Sequence, residues 1–260
     1  MLWNCIRRTN ELRGVENFMN ETIQNESLGK WTHQVRKRVL LFISAWILTT
    51  GFCVAFVDRA ASSWAHTNLK GCPLFAPLTH LVDPLRPGAA LCLIFAGMAA
   101  LWTRWRPGER GHTMLTACLA IIVSVALKDQ LKFVFGRTWP ETWVAQNPSW
   151  IADGVFGFHL FHGGEGWASF PSGHMTQIAA CAAVLWRRIR PWRWLWTSLV
   201  ALVAIGLFGA NYHFVGDMVA GTFLGVATAC GALALMGTPP ETKKQVVDEP
   251  YNNYSSSSQP

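Results

Sequence analysis

Charged residues are scarce in this sequence. Only 14% of its 260 residues are Asp, Glu, Lys or Arg, against roughly 25% in ordinary soluble domains. Hydrophobic residues make up 51%, and 14 tryptophans stand beside only 3 tyrosines. The shortage of charge argues against a soluble globular domain and indicates a membrane protein.

Cysteines in paired spacings are also lacking. Five of the 7 cysteines fall inside apolar runs, Cys5 precedes the first run, and Cys72 stands alone in a predicted outer loop. We therefore predict no structural disulfide and no zinc site of the paired-cysteine kind. The first apolar run follows a long polar segment and lacks a small-residue cleavage site, so it predicts a signal anchor rather than a cleaved signal peptide.

Long apolar runs are what the sequence does contain. A helix needs about 20 residues to cross the hydrocarbon core of a membrane, with a range of about 17–25. The runs cover residues 39–57, 88–102, 113–127, 172–186, 194–210 and 214–236. With the Trp, Lys and Arg that flank the shorter runs, they predict an all-α integral membrane protein built as a six-transmembrane-helix bundle.

The positions of Lys and Arg predict how this bundle is oriented. Most of the 22 basic residues fall in segments that all lie inside if the N-terminus is inside, so both termini are predicted to be cytoplasmic. This topology accounts for the net charge of +7, and no nucleic-acid partner is predicted. Residues 1–38 are predicted as a cytoplasmic arm, 39–237 as the membrane domain and 238–260 as a disordered cytoplasmic tail. If the source is a bacterium, the outer loops face the periplasm from the inner membrane.

Three polar groups lie at the predicted outer ends of the last four runs, and ionisable residues at such positions are functional candidates. The groups are Lys128, Lys132 and Arg137 with Pro140; Ser172, Gly173 and His174; and Asn211, His213 and Asp217. Taken singly, each has an ordinary explanation: lysines that reach for the interface, a helix cap, and a buried His–Asp hydrogen bond. Their coincidence at one face favours a site.

Phosphate binding suits the first two groups. A helix that begins with Ser172 and Gly173 presents free backbone N–H groups to an anion. Lys132 and Arg137 carry the positive charge that neutralises phosphate oxygens, Arg in bidentate fashion. We predict these four residues as the substrate-binding set.

Phosphoryl transfer suits the third group together with His174. His213 and Asp217 are four residues apart and share a helical face, so the carboxylate can hold the imidazole while it attacks phosphorus. His174 can donate a proton to the leaving alkoxide. We predict His213, His174 and Asp217 as the catalytic residues, with no metal ion and no other cofactor.

The same residues resemble the motifs of the type 2 phosphatidic acid phosphatase family, the membrane branch of the acid phosphatase and vanadium haloperoxidase superfamily. The family pattern is Lys-x6-Arg-Pro, then Pro-Ser-Gly-His, then Ser-Arg-x5-His-x3-Asp. The second block is complete at 171–174, and His213 to Asp217 completes the end of the third. Trp139 and Leu207 stand where the pattern has arginines, and Arg137 is a candidate substitute for the first.

The resemblance implies a membrane lipid phosphatase that hydrolyses a lipid phosphate monoester or diphosphate at the outer face through a phosphohistidine. Three alternatives stay open: a lipid-to-lipid phosphotransferase on the same scaffold, a non-catalytic lipid-binding or transport protein, which the two replaced arginines favour, and a zinc hydrolase. The zinc hydrolase would use His159 and His162 with His174 and His213. The identity of the lipid and the oligomeric state are open.

Overall fold

The computed structural model describes residues 33–103, 105–143 and 146–238. The predicted cytoplasmic tail and nearly all of the predicted N-terminal arm lie outside these residues. The described part is helical, with isolated β-bridges only between loop residues. Its helices are α1 (His33–Leu69), α2 (Phe75–Thr79), α3 (Leu85–Thr103), α4 (Glu109–Phe135), α5 (Trp150–Asp153), α6 (Gly173–Arg188), α7 (Arg193–Gly209) and α8 (Val215–Met236).

Among the described residues, 5 helical segments are long and apolar enough to cross a membrane: His33–Leu69, Phe75–Thr103, Glu109–Phe135, Arg190–Gly209 and Val215–Met236. Helix α6, the fourth span of the predicted bundle, has 16 residues and is about 24 Å long, less than the roughly 30 Å of a hydrocarbon core. The described helices support an integral membrane protein, whereas the predicted count of six spans is not reached by length and composition.

The first predicted outer loop, residues 58–87, is mostly helical. Helix α1 continues to Leu69, and the next helical segment begins at Phe75. The apolar run of the sequence ends at residue 57, directly before Asp58, and a carboxylate is costly in a membrane. Asp58 is buried and paired inside the protein, so the helix passes through it without exposing the charge to lipid.

Helix α6 lies at the centre of the bundle, packed against α8, α4 and α7. Two glycines on α8 allow the close approach. A Cβ atom on Gly221 would lie 2.5 Å from the carbonyl oxygen of Ser172, and one on Gly225 would lie 2.4 Å from that of Thr176. Small residues at such spacing let membrane helices touch through their backbones. The contact fixes the first turn of α6 against the first turns of α8.

The long connection between α4 and α6 folds over the end of the bundle where α4 and α7 finish and α6 and α8 begin. We call this the site end. The chain leaves α4 at Gly136, which has a positive φ of 52° and no room for a Cβ atom, since one would lie 2.0 Å from the carbonyl oxygen of His159. Arg137 then bridges to Phe158 and Ala168. The connection thereby places Arg137 under its own aromatic residues, next to α8.

Candidate active site

A pocket of 420 Å³ opens at the site end. It is lined by Lys128, Lys132, Trp139, Trp143, Gly173, His174, Gln177, Tyr212 and His213. Four of the seven predicted site residues are in this lining, and they come from α4, α6 and the turn before α8. Three predicted residues, Arg137, Ser172 and Asp217, lie behind it.

His213 joins the pocket to a buried carboxylate. Its side chain is 4% exposed, and Nδ1 lies 3.5 Å from Oδ2 of Asp217 and 3.5 Å from Oγ of Ser169. The Ser169 hydroxyl donates to the same Oδ2 at 2.5 Å, and the backbone N–H of Phe214 donates to it at 3.1 Å. With Nδ1 turned towards these acceptors, Nε2 is the nitrogen left for the pocket.

Burial lowers the pKa of His213. The positive charge of Lys132 acts in the same direction, whereas the hydrogen bond and the charge of Asp217 oppose it. Because the net shift is downward, the imidazole is neutral at neutral pH. A neutral ring has the free lone pair that a nucleophile needs.

Arg137 does not face the pocket, in contrast to its predicted role as a phosphate clamp. Its side chain is 0% exposed; Nη1 donates to Oδ1 of Asp217, and Nη2 donates to Oδ2 of Asp58 at 2.6 Å. Rings of Phe158 and Phe214 lie 4.9 and 4.6 Å from the guanidinium carbon. The sequence puts Arg137 at the end of α4 but does not give the direction of its side chain, which two carboxylates draw behind His213.

Ser172 caps α6 rather than reaching into the pocket. It is fully buried; its hydroxyl accepts from the backbone N–H of Met175 at 3.5 Å, and its own N–H donates to the carbonyl of Asp217 at 3.0 Å. Gly173 is the residue of this pair in the pocket wall. A Cβ atom there would lie 3.1 Å from Cε of Lys128, so glycine lets the lysine lie across the start of the helix.

His174 stands across the pocket from His213, with 6.5 Å between the ring centroids. Its Nε2 lies 4.0 Å from Oδ1 of Asp83, and the other oxygen of Asp83 pairs with Nδ1 of His80 at 2.7 Å. The two imidazoles therefore flank one space, each with a carboxylate near it. This arrangement suits a nucleophile on one side of a phosphorus atom and a proton donor on the other.

Apolar side chains occupy both positions where the family pattern has an arginine. The Trp139 ring lines the pocket, 5.1 Å from the ring of His213, and Nζ of Lys132 lies 5.7 Å from its centroid. Leu207 is fully buried in the core of α6, α7 and α8. Lys128 and Lys132 are the cations in the pocket lining.

Sequence reasoning did not assign the rest of the site. Trp143, Gln177 and Tyr212 line the pocket, and Asp58 and Ser169 hold the residues behind it. Gln177 carried a usable signal, since it follows Gly173 by one helical turn on α6. Asp58 carried another, as a carboxylate within an apolar helix.

The histidines proposed for a zinc site are separated. His159 and His162 pack against Trp167, with ring centroids 4.2 and 4.5 Å apart, and neither lines the pocket of His174 and His213. Within residues 33–103, 105–143 and 146–238, no group of three or more His, Cys, Asp or Glu side chains has the arrangement of a metal site. The geometry therefore does not assemble the ligand set of that alternative.

Comparisons with known proteins bear on the motifs. Residues 113–240 match the family model of the PAP2 superfamily, which confirms the resemblance. A comparison with curated proteins gives no match. Among solved structures, the chain is similar to a transmembrane PAP2-type phosphatidylglycerolphosphate phosphatase from Bacillus subtilis, with 20% sequence identity, coverage of 74% of this chain and 94% of that chain, and a TM-score of 0.49. The matched segment contains all seven predicted site residues, and α1 precedes it.

Proposed function

We propose that this chain, which carries a PAP2 superfamily segment over residues 113–240, is a membrane lipid phosphatase that hydrolyses a phosphate monoester or diphosphate of a lipid. One observation carries the proposal. His213 has a carboxylate and a hydroxyl at Nδ1, while its ring lines a pocket that also holds His174 and two lysines. That is the arrangement needed for an imidazole to attack an anionic phosphorus centre.

In the first step, Nε2 of His213 forms a bond to phosphorus, and the bond from phosphorus to the lipid oxygen breaks. Asp217 accepts the hydrogen bond of Nδ1–H and stabilises the imidazolium that develops. His174, in its protonated form, donates a proton to the departing oxygen. The products are a phosphohistidine at His213 and the free lipid alcohol or lipid monophosphate.

In the second step, water attacks the phosphohistidine from the side of His174. The neutral His174 takes one proton from that water, the nitrogen–phosphorus bond breaks, and inorganic phosphate leaves. His213 returns to its neutral form and His174 to its protonated form. The phosphotransferase alternative differs only here, because a second lipid hydroxyl would replace the water.

Charge stabilisation falls to Lys128, Lys132 and the first turn of α6 at Gly173. Lysine binds phosphate as a point charge and lacks the fork of an arginine. A charge-assisted hydrogen bond contributes about 1.5–3 kcal/mol, so the site binds phosphate less tightly than one with both pattern arginines. The aromatic wall of Trp139, Trp143 and Tyr212 supplies apolar surface in their place.

We further propose that the site end faces outward, with both termini cytoplasmic. The basic residues of the inner segments support this orientation, and in a bacterium the pocket would open to the periplasm from the inner membrane. The aromatic residues of the long connection suit the headgroup layer. A lipid whose chains remain in the bilayer would then present its phosphate at the mouth of the pocket.

A non-catalytic lipid-binding protein is the second candidate, because Trp139 and Leu207 remove the two arginines of the pattern. Vanadate distinguishes the candidates, since it mimics the phosphoryl transition state. Vanadate inhibits the phosphate release of a phosphatase. A non-catalytic binding protein shows no phosphate release, with or without vanadate.

The deciding experiment measures phosphate release from a panel of lipid monophosphates and diphosphates by the purified full chain in detergent. We expect release by the wild-type protein and none by His213→Ala. His159→Ala is the matched control, because that imidazole lies outside the pocket. Full release by His213→Ala would overturn the proposal, as would a wild-type protein inactive on every lipid phosphate.

A further inference from the structure

We propose that Asp58 on α1 is a positioning residue for this reaction: through Arg137 it holds Asp217, and through Asp217 it holds the nucleophile His213. The inference rests on the proposed function. It adds a helix to the site, since α1 lies outside the segment of residues 113–240 that matches the PAP2 superfamily.

The three side chains form one buried unit. Arg137, Asp58 and Asp217 are each 0% exposed. The two terminal nitrogens of the guanidinium are divided between the carboxylates, Nη1 to Asp217 and Nη2 to Asp58. A guanidinium has a rigid planar fork, so the position of one carboxylate constrains the position of the other.

Asp58 also reaches the chain next to Asp217 directly. Its Oδ1 accepts from the backbone N–H of Gly216 at 2.7 Å. A Cβ atom at residue 216 would lie 2.7 Å from Oδ2 of Asp58, so only glycine admits this approach without a shift. Asp58 thus fixes both the side chain of Asp217, by way of Arg137, and the backbone immediately before it.

The charges of this unit favour a role in the reaction. If both carboxylates are ionised, two carboxylates and one guanidinium leave a net negative charge beside Ser169 and His213, where the imidazolium develops. If Asp58 were neutral, Arg137 would have Asp217 as its only carboxylate partner, and the negative charge that Asp217 offers to His213 would be more fully compensated. The transition state would then lose stabilisation, while the pocket lining would keep its residues.

The backbone of α1 changes its winding directly before Asp58. Residues Cys53–Val57 form a π-helical segment, and the N–H of Asp58 donates to the carbonyl of Cys53. Such segments are rare and occur frequently at functional sites. The altered winding accompanies the turn of Asp58 into the protein, although the helix as a whole is largely exposed to the surroundings of the bundle.

A second polar contact joins α1 to the site through His66, which lies further along the helix than Asp58. Nδ1 of His66 lies 2.8 Å from Oε1 of Glu141, and Nδ2 of Asn211 donates to the same oxygen at 2.9 Å. Glu141 belongs to the long connection after Trp139, and Asn211 precedes Tyr212 and His213. Helix α1 therefore contacts both chain segments that carry the pocket, which is the placement expected of an element that aligns them.

The test compares Asp58→Asn, Asp58→Glu and Ser62→Ala in the full chain, in the same phosphate-release assay. Ser62 is the matched control, because it is buried on the same helix and its hydroxyl has no partner among the described residues. For Asp58→Asn we expect kcat to fall about 10- to 100-fold, less than the ~10⁴-fold known for loss of an orienting carboxylate, with KM within about twofold. Asp58→Glu restores the charge and recovers part of kcat, and Ser62→Ala matches the wild type.

The amount of folded protein is measured for each variant by size-exclusion chromatography in detergent. If Asp58→Asn does not fold, Arg137→Lys replaces it: a lysine keeps the charge but cannot span both carboxylates, and we expect the same loss of kcat without a rise in KM. Full kcat in the folded variant would overturn the inference. A change in KM alone would also overturn it, as would a loss of activity no greater than the loss of folded protein. An inactive wild-type protein would instead refute the proposed function.

Discussion

Behind His213, Asp58 and Asp217 share the guanidinium of Arg137, and all three side chains are withdrawn from solvent. In front of His213, the pocket is lined by two lysines and a wall of aromatic rings, and Nζ of Lys128 pairs with Oδ1 of Asp129. Both terminal nitrogens of Arg137 donate to the carboxylates of Asp58 and Asp217, whereas its buried Nε has no partner among the described residues. The pocket is thus open, and the two lysines in its lining differ, since one of them has a carboxylate partner on the protein.

The difference between the open pocket and the buried network can be set beside the predicted departures from the family pattern. Of the two positions aligned with pattern arginines, Trp139 lines the pocket and Leu207 lies in the buried core, whereas His213 and Asp217 match the pattern. A lost cation in an open pocket costs one interaction, but a lost partner in a buried ion network leaves an uncompensated charge, which costs about 3–5 kcal/mol. We therefore expect a substitution in the pocket lining to cost less stability than a substitution in the buried network behind His213.

The largest effect is expected for Asp217→Asn. The amide cannot stabilise the imidazolium and offers the wrong hydrogen-bond pattern to Nδ1, so kcat should fall by up to about 10⁴-fold. Steady-state phosphate release measures this change, with Glu109→Gln, at an exposed acidic residue, as the control. Activity within about tenfold of the wild type would show that the rear does not set the reactivity of His213.

The second-largest effect is expected for removal of Arg137, the cation that the two carboxylates share, and it concerns the free energy of unfolding. Arg137→Met leaves two buried carboxylates without a counter-charge, and we expect a loss of about 3–5 kcal/mol in the free energy of unfolding. Thermal denaturation in detergent reports the change. Arg110→Met, at an exposed arginine of α4, is the control, and equal melting temperatures for the two variants would contradict the comparison.

Substitution of Lys132 in the pocket lining should mainly change KM. Lys132→Met removes one charge-assisted contact to phosphate, worth about 1.5–3 kcal/mol, so KM should rise about 10- to 100-fold with a smaller change in kcat. Lys70→Met, at an exposed lysine outside the pocket, should leave both constants unchanged. A fall in kcat at constant KM would instead indicate that Lys132 contacts the phosphate only in the transition state.

The smallest expected effect is a gain. Trp139→Arg returns an arginine to the position that carries one in the family pattern and removes the ring that packs 5.1 Å from His213. We expect inhibition by vanadate to become about tenfold tighter, the lower end of the value of a charge-assisted bond. Unchanged inhibition would indicate that the tryptophan position no longer points at the bound anion.

Much of the pocket was predictable from short-range patterns. The spacing of His213 and Asp217 predicted that they lie close together, and His213 is in the turn before α8 while Asp217 is in its first turn. Ser172 and Gly173 marked the beginning of α6. Lys132, Gly173, His174 and His213 do line one pocket. Their shared location was predictable because it depends on which end of each helix a residue occupies, whereas their roles stay predictions.

Two expectations, the direction of Arg137 and the end of the first helix, differ from the structure because distant residues decided them. Arg137 was assigned to phosphate because nothing in its neighbourhood along the chain reveals Asp58, which lies 79 positions away and pairs with it. For the same reason, the predicted first span ends at residue 57 although α1 runs to Leu69. A buried charge is acceptable when its partner is present, and that partner is visible only in three dimensions.

The sequence by itself determined that the chain carries long apolar helices and the histidine, aspartate and lysine side chains of the candidate site, because hydropathy and residue chemistry are local properties. The tertiary structure alone decided which cations line the pocket and which one, Arg137, is buried behind His213. The physical reason is electrostatic. In a low-dielectric interior each charge goes to its nearest opposite charge, and the folded packing of α1, α4 and α8 determines which charge that is.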